Sequence, residues 1–322
     1  MYNTIKLEKG LYSIASKTFT QALEELDKTE NYDTNEMKSL DAFERQLKRF
    51  DIKICGQQSD MVEKFFTTTQ SAVLFPEFVR RCIKQGMDEA SILPYIVGAK
   101  TNIRGVDYRG LAISSQGTNS AVLEGGQLPV TSVKLASDTI SLVKLGRKIS
   151  TSYEAIRQQR LDIFATTLRT IGAQISQAVN SKAVDTLSAS TTPSLLEGDS
   201  ISYNDLVSMW ASFNEYNMTT ILASPSVMAD ILKLEEMKNC VGEFMTKGVV
   251  KTPFGAVLVK CNAIGNNKIL GVDKSCALEM ISATDVVVDF EKLISTQMED
   301  VSFTVTVGFS KIISSATKAI SL

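Results

Sequence analysis

Histidine is absent from the 322-residue sequence. Without histidine there can be no Ser-His-Asp triad, no Cys-His pair and no histidine-based zinc or iron site. Histidine is also the side chain whose ordinary pKa lies between pH 5 and 8, so we expect a weak response to mild acid.

Cysteine is scarce and widely spaced. The five cysteines form no CxxC pair, and they are Cys55, Cys82, Cys240, Cys261 and Cys276. An odd number at such spacing argues against a disulfide framework. We therefore expect them to be small, buried, apolar side chains in a reducing compartment.

A long apolar run and a basic tract are missing as well. No apolar run approaches the ~18 residues of a membrane span, and the N-terminal MYNTIKLEKG lacks the apolar core of a signal peptide. The net charge is -2, and the most basic stretch, Arg45 to Lys53, is interpreted as the solvated face of a helix. We expect a protein that is made in the cytoplasm and stays soluble until it meets its partners.

Catalytic motifs are weak. The SxxK pattern occurs at Ser141 to Lys144 and at Ser315 to Lys318, but in a serine acyl-enzyme the serine begins a helix, and both matches lie in strand-like sequence. The lone Trp210 lies on a helical stripe and is interpreted as core. We predict no catalytic, cofactor-binding or metal-binding residues, no cofactor and no enzymatic activity.

Glycine-rich and acidic pieces have simple structural interpretations. Gly125-Gly126 and Gly265-Asn266-Asn267 fit neither a Walker loop nor GxGxxG, and the second is interpreted as a hairpin turn. Glu235-Glu236 and Glu299-Asp300 are interpreted as solvated ends of elements. Because carboxylates are plentiful, a carboxylate-based hydrolase remains an alternative.

Residues 1–70 are predicted to be helical. One apolar stripe predicts a single helix and comprises Met37, Leu40, Phe43, Leu47, Phe50 and Ile54. A shorter helix is predicted from Ser16 to Lys28, with Phe19, Leu23 and Leu26 on its apolar side. Ser59 to Gln70 is interpreted as a linker. These helices either dock on the chain's own core or pair with other copies or an assembly partner.

The next part contains a glycine-punctuated excursion. Phe75-Pro76 opens an amphipathic helix, and Ile92 to Ile96 is predicted to be extended. Between Lys100 and Thr131 few large apolar residues occur, which predicts a disordered loop or a projecting two-stranded arm. An isolated hairpin is marginal in water, so an ordered arm would lie on a neighbouring subunit.

A strand and a very long helix follow. Thr131 to Ile149 is strand-rich, with a break in alternation at Leu142-Val143. Thr151 is predicted to cap a short helix. An apolar stripe then predicts one helix from Leu161 to Ser188, about 42 Å long.

The remaining chain mixes helices with strands. Ser224-Pro225 is predicted to begin a helix. Residues from Val301 to Phe309 alternate between apolar and polar side chains, which is typical of a half-buried strand, and Ile312 to Ile320 is predicted to be the final strand. The predicted class is α+β with mostly antiparallel pairing.

Together these pieces resemble the HK97-fold major capsid proteins of tailed bacteriophages. The resemblance runs from about Ser71 to the C-terminus and rests on three groups of motifs. They are SAVLFPEF with the excursion to Leu123-Glu124-Gly125-Gly126, the strand and short helix before Leu161-Asp162, and Ala223-Ser224-Pro225-Ser226 followed by Thr252-Pro253-Phe254-Gly255.

The resemblance implies a division of the chain. The implied parts are an N-terminal scaffold-like (delta) region or long arm (1–70), an N-terminal arm (71–100), an extended E-loop hairpin (101–131), a peripheral domain with a spine helix (132–218, helix about 161–188), an axial domain (219–300) and C-terminal strands that return to the peripheral domain (301–322).

The resemblance also implies a function in the virion. Copies of the chain would form hexamers and pentamers of an icosahedral head around double-stranded DNA, with a portal and decoration or scaffolding proteins as further partners and no membrane. Some such proteins crosslink through an E-loop lysine. Here the loop offers only Arg104 and Arg109, so we predict no covalent ladder on a denaturing gel. The alternative is an encapsulin-like protein compartment.

Overall fold

The computed structural model describes residues 5–14, 17–105, 107–116, 121–189, 191–196, 198, 200–238, 250–293, 295 and 297–322. The chain divides into two compact units. The first comprises Met1–Ala90, Gly146–Ser176 and Val286–Thr304, and the second comprises Ser91–Leu145, Gln177–Asp285 and Val305–Leu322. Helices and strands are mixed throughout, which confirms the predicted α+β class.

Eleven helices are described. In chain order they are α1 (Phe19–Leu26), α2 (Asn35–Lys38), α3 (Ala42–Arg49), α4 (Thr69–Ala72), α5 (Phe75–Glu89), α6 (Leu93–Ile96), α7 (Tyr153–Arg157), α8 (Leu161–Ser188), α9 (Tyr203–Ala211), α10 (Pro225–Lys233) and α11 (Glu235–Lys238).

Fourteen strands are described. In chain order they are β1 (Val97–Asn102), β2 (Asp107–Tyr108), β3 (Leu111–Gln116), β4 (Val130–Leu135), β5 (Ile140–Ser141), β6 (Val143–Ser152), β7 (Pro193–Leu195), β8 (Thr220–Ala223), β9 (Val250–Lys251), β10 (Val257–Lys260), β11 (Lys268–Val272), β12 (Leu278–Leu293), β13 (Met298–Lys311) and β14 (Thr317–Ser321).

The N-terminal helices are shorter than the apolar stripe predicts, and the single helix from Met37 to Ile54 is wrong. Asp41 forms a capping box with Glu44, so α3 begins there and is separate from α2. Helix α3 ends at Arg49, and Asp51 then adopts a φ of 52°. Leu26 of α1, predicted on the apolar side, is 49% exposed.

The predicted linker from Ser59 to Gln70 is a packed segment. Val62 and Phe65 in its 3₁₀ turn are fully buried. The ring of Phe65 lies 5.4 Å from the ring of Phe78 on α5. The amide of Val62 donates to the carbonyl of Gln159, so this segment is fixed in the first unit.

The long helix occurs as predicted. Helix α8 has 28 residues, and nearly all of its predicted apolar stripe is buried. The buried members are Leu161, Phe164, Leu168, Ile175, Val179, Ala183 and Leu187. The preceding helix α7 is capped by Ser152, one residue after the predicted Thr151, because the Ser152 hydroxyl accepts from the amide of Ala155.

Helices α5 and α8 approach each other closely at two glycines. A Cβ on Gly86 would lie 2.0 Å from the carbonyl oxygen of Arg169, and a Cβ on Gly172 would lie 2.1 Å from the carbonyl oxygen of Ile83. Both distances are far below contact distance, so any side chain at either position would force the helices apart.

A six-stranded sheet forms the core of the second unit, with strand order β7-β14-β11-β8-β10-β9. Ser224 caps α10 as predicted, through a hydrogen bond from the amide of Val227. Helices and sheet share one apolar core, which includes Leu206, Met209, Phe213, Ile221, Val227, Ile231, Leu258, Ile269 and Ile320.

Three local predictions in the second unit are wrong. Gly265-Asn266-Asn267 is not a hairpin turn, because β8 lies between β10 and β11. Ile92 to Ile96 contains the short helix α6, where Pro94 occupies the first turn and needs no amide donor. The predicted final strand, Ile312 to Ile320, is interrupted by a 3₁₀ turn over Ser314–Ala316 before β14.

A four-stranded sheet has the order β1-β12-β13-β6, and β1 pairs with β12 in parallel. The predicted alternation in β13 is confirmed, because its apolar residues are all buried. They are Val301, Phe303, Val305, Val307 and Phe309. Antiparallel pairs predominate among the strand registers described, as predicted, with parallel pairs at β1–β12, β8–β10 and β7–β14.

Candidate assembly surface

The glycine-punctuated excursion and the first residues of the predicted strand-rich segment form a two-stranded arm, and an arm was one of the two predicted forms. The arm extends beyond the predicted end at Thr131, so it includes Lys134, which the predicted loop did not. Strands β3 and β4 pair antiparallel from Leu111 opposite Leu135 to Gln116 opposite Val130. The shorter pair of β2 with β5 lies at the root of this arm, with Tyr108 opposite Ile140. The predicted break at Leu142 separates β5 from β6.

The arm exposes large apolar side chains. Leu123 is 87% exposed and Leu128 is 73% exposed. Leu111, Val130, Val133 and Leu135 are each more than half exposed. We call these six residues the arm patch. A two-stranded hairpin alone is marginally stable in water, and clustered apolar side chains on a surface indicate an interaction site.

The C-terminal end of α8 is held by a half-buried lysine. Lys311 on β13 donates from Nζ to the carbonyl oxygen of Leu187 at 3.1 Å and to the Thr191 hydroxyl at 2.7 Å. Burial lowers the pKa of Lys311. A cation at this position compensates the negative end of the helix dipole and satisfies carbonyls that have no helical partner.

The basic stretch from Arg45 to Lys53 is not simply a solvated helix face, because Arg45 is fully buried. Its guanidinium Nη2 lies 2.9 Å from Glu24 Oε2, and its Nε lies 3.2 Å from Asp27 Oδ2. Asp27 is itself fully buried and also accepts from the Tyr32 hydroxyl at 2.7 Å. This buried ion pair joins α3 to the end of α1.

A second buried carboxylate joins α5 to the N-terminal helices. Glu77 is fully buried and accepts from Arg80 Nε at 2.8 Å, from Arg81 Nε at 3.0 Å and from the Thr20 hydroxyl at 2.8 Å. Arg81 also reaches Asp41 at 2.6 Å. Burial alone would raise the pKa of Glu77, but the hydrogen bonds and charges of the two arginines lower it overall.

The residues considered for chemistry do not assemble into a reactive site within the described part of the chain. Ser141 lies in β5, whereas Ser315 lies in a 3₁₀ turn, so neither begins an α-helix. Among the described side chains, no group of three or more cysteines and carboxylates could hold a metal ion. Glu235 and Glu236 are exposed, as predicted.

Three predictions about single residues need correction. Trp210 is 46% exposed, although its ring lies 6.2 Å from the ring of Phe254, so it is not a core residue. Asp300 is buried and forms an ion pair with Lys148, so it is not a solvated end. Cys55 is exposed, whereas Cys82 and Cys261 are buried, Cys276 is half-buried and Cys240 lies outside the described residues.

Sequence reasoning missed the buried ions because their partners are remote. Glu77 is 57 residues from Thr20, and Arg45 is 18 residues from Asp27. Local periodicity places charged residues on the solvent side of a helix and contains no signal for such pairing.

Comparison with known proteins agrees with the architecture. Residues 136–276 match a family model described as phage capsid protein. No curated protein sequence matches the chain. A virus-like particle from Pyrococcus furiosus aligns over 76% of this chain and 98% of its own, with 13% identity and a TM-score of 0.55.

Two further structures show the same likeness. The capsid of the empty GTA particle aligns over 72% of this chain and 90% of its own, with 14% identity and a TM-score of 0.54. A structure of Gordonia phage Cozz aligns over 72% of this chain and 86% of its own, with 12% identity and a TM-score of 0.55. At such identities the likeness shows the fold.

The fold is therefore that of the HK97-like capsid proteins. This fold, and the match of residues 136–276 to a phage capsid family model, agree with the predicted resemblance to phage major capsid proteins. None of the helices in the described ranges has the length and apolarity needed to cross a membrane.

Proposed function

We propose that this chain assembles with copies of itself into hexamers and pentamers of an icosahedral head that encloses double-stranded DNA. The observation that carries the proposal is the arm patch. Six large apolar side chains lie on a hairpin whose own strands bury little of them. A second copy of the chain would cover this surface in the assembled shell.

Polar contacts between α5 and the N-terminal helices support a role for the N-terminal region inside the subunit. Arg81 on α5 bonds to Asp41, and Glu77 bonds to Thr20, so residues of the N-terminal helices satisfy charges on α5. Of the two alternatives for these helices, docking on the chain's own core is the one we propose. A removable scaffold would leave Glu77 without one of its donors.

The implied division into parts is also a proposal. The six-stranded sheet of the second unit suits the axial domain, and α8 suits the spine helix of the peripheral domain. The hairpin suits the E-loop. We further propose synthesis in the host cytoplasm, weak nonspecific contact with packaged DNA, and a portal with scaffolding or decoration proteins as partners. The small net charge of -2 supports weak contact with a polyanion.

The test replaces two leucines of the arm patch. Burial of one leucine contributes roughly 1.5–3 kcal/mol, so the double substitution Leu123→Asp with Leu128→Asp should weaken subunit contact by more than about 100-fold. Leu195→Asp is the matched control, because Leu195 is 83% exposed but lies on β7.

Sedimentation and electron microscopy of full-length protein provide the measurement. We expect shells from the parent and from the Leu195 variant, and unassembled but folded subunits from the arm variant. Shell formation by all three proteins would contradict assembly through the arm patch. A monomeric parent would contradict the capsid function itself, and particles with protein cargo and no nucleic acid would favour the encapsulin-like alternative.

A further inference from the structure

A carboxylate at the root of the arm joins two segments that a turn separates. Glu279 lies on β12, and its Oε1 accepts hydrogen bonds from the Thr101 hydroxyl at 2.5 Å and from the Tyr108 hydroxyl at 3.0 Å. Thr101 lies near the end of β1, and Tyr108 lies in β2, where the chain enters the arm. One oxygen atom therefore contacts the chain on both sides of the turn.

The strand register explains the first of these contacts. Strand β1 runs parallel to β12, with Ala99 opposite Glu279 and Thr101 opposite Ile281. Alternate residues of a strand lie on one face, so Thr101 and Glu279 are diagonal neighbours on the same face of this pair. The contact is built into the sheet and does not depend on the arm.

The second contact depends on the arm. Strand β2 pairs with β5 through only two residues. So short a pairing constrains the direction of the arm only weakly. The hydroxyl of Tyr108 adds a tie from β2 to β12. Burial, the hydrogen bond to Glu279 and the negative charge of Glu279 all raise the pKa of Tyr108, so its hydroxyl keeps the proton that it donates.

Gly105 lies between the two contacts and is exposed. Gly105 has a φ of +150°, which residues with a side chain rarely adopt, and a Cβ at that position would have no atom within 4 Å. The surroundings of Gly105 therefore do not by themselves fix the direction of the chain. Ile103 fixes the near end through a hydrogen bond from its amide to the carbonyl of Ser282.

We propose that Glu279 is the positioning residue of the arm. By holding Thr101 and Tyr108 on one carboxylate oxygen, it sets the direction in which the hairpin leaves the sheet. This inference rests on the proposed function, because the direction of the arm determines where the arm patch meets a second copy. Loss of Glu279 would leave the hairpin paired but free to adopt several directions.

The test uses three substitutions in the full-length chain. Glu279→Ala removes the acceptor, and Tyr108→Phe removes only the donor on the arm side. Asp289→Asn is the control, because Asp289 is an exposed carboxylate on the same strand and faces solvent. Hydrogen exchange followed by mass spectrometry of unassembled subunits reports the arm and the six-stranded sheet separately.

We expect both root variants to raise exchange in residues 107–116 and 130–141 about tenfold, since hydrogen bonds to a charged group are among the stronger ones. Exchange in β8 and β11 should not change. Unchanged exchange in the arm would overturn the proposal, and so would an equal rise in both regions, which indicates general loss of stability.

Particle images separate this proposal from the proposed function. If the arm patch joins subunits and Glu279 directs the arm, the two root variants should give shells of mixed size or open sheets, and the control should give uniform shells. Faster exchange in the arm with uniform shells would retain the positioning role and contradict the part of the proposed function that assigns assembly to the arm.

Discussion

Alanine at Gly86 should force α5 and α8 apart. The new Cβ would lie 2.0 Å from the carbonyl oxygen of Arg169, whereas a carbon and an oxygen in ordinary close contact lie about 3.3 Å apart. The difference, about 1.3 Å, must be taken up by the helices, because the obstructing atom belongs to the backbone and cannot rotate away.

The magnitude follows from two opposing effects. Overpacking a core costs about 1–3 kcal/mol, and the upper end applies where backbone must move. The higher helix propensity of alanine stabilises the helix by about 1 kcal/mol relative to glycine. We therefore expect Gly86→Ala to destabilise the first unit by about 2 kcal/mol.

A second glycine at the crossing of α5 and α8 provides a further test. Gly172→Ala should act alike, because its Cβ would lie 2.1 Å from the carbonyl oxygen of Ile83. Once one substitution has separated the helices, the other meets less obstruction. The double variant should therefore lose less stability than the sum of the two single variants.

Hydrogen exchange of the amides in α5 is the assay, because a chain with two units need not unfold in one step. A loss of about 2 kcal/mol corresponds to roughly 30-fold faster exchange. Gly10→Ala is the control, since a Cβ there would meet no atom within 4 Å. If the amides of α5 exchange as slowly in the Gly86→Ala variant as in the parent, the close approach of the two backbones is wrong.

Two further predictions concern the buried charges. Arg45→Met should lower the free energy of unfolding by about 3–5 kcal/mol, because Asp27 would stay buried without its cation. Lys48→Met, on the exposed side of α3, should lower it by less than about 0.5 kcal/mol. Urea denaturation compares the two variants, and equal midpoints would contradict the role of Arg45. The lowered pKa of Glu77 contributes stability above the unfolded-state value of about 4.3, and this stability is lost as the pH falls through the lower folded-state pKa. Because the chain has no histidine and Glu77 stays ionised in this range, light scattering should detect no expansion of particles from pH 7.5 to 6. Expansion in that range would contradict this reasoning.

Local signals predicted much of the fold. Three local signals occur in the structure as predicted, and each spans fewer than 30 consecutive residues. They are the apolar stripe of α8, the cap at Ser224 and the alternation of β13. The prediction of one helix from Met37 to Ile54 was wrong because Asp41 caps the start of a separate helix by accepting from a backbone amide. The spacing of apolar residues contains no information about such a cap.

Long-range pairing explains what the sequence could not reveal. The arm was one of two forms predicted from a lack of core residues, but the contacts of Glu279 at its root join residues more than 170 positions apart. The exposure of Trp210 likewise depends on its packing against residues remote in sequence, such as Phe254. No spacing rule in one chain contains this information.

The structure separates the side chains used in folding from those left for assembly. In the first unit, even fully buried charges such as Arg45 and Glu77 find partners within the same unit. On the arm, by contrast, Leu123 and Leu128 remain largely exposed after the chain has folded. Apolar side chains that folding does not bury retain the free energy of their burial for a later contact. Under the proposed function, the arm is a part of the described chain from which assembly would gain free energy, and control of its direction by Glu279 would control the geometry of the shell.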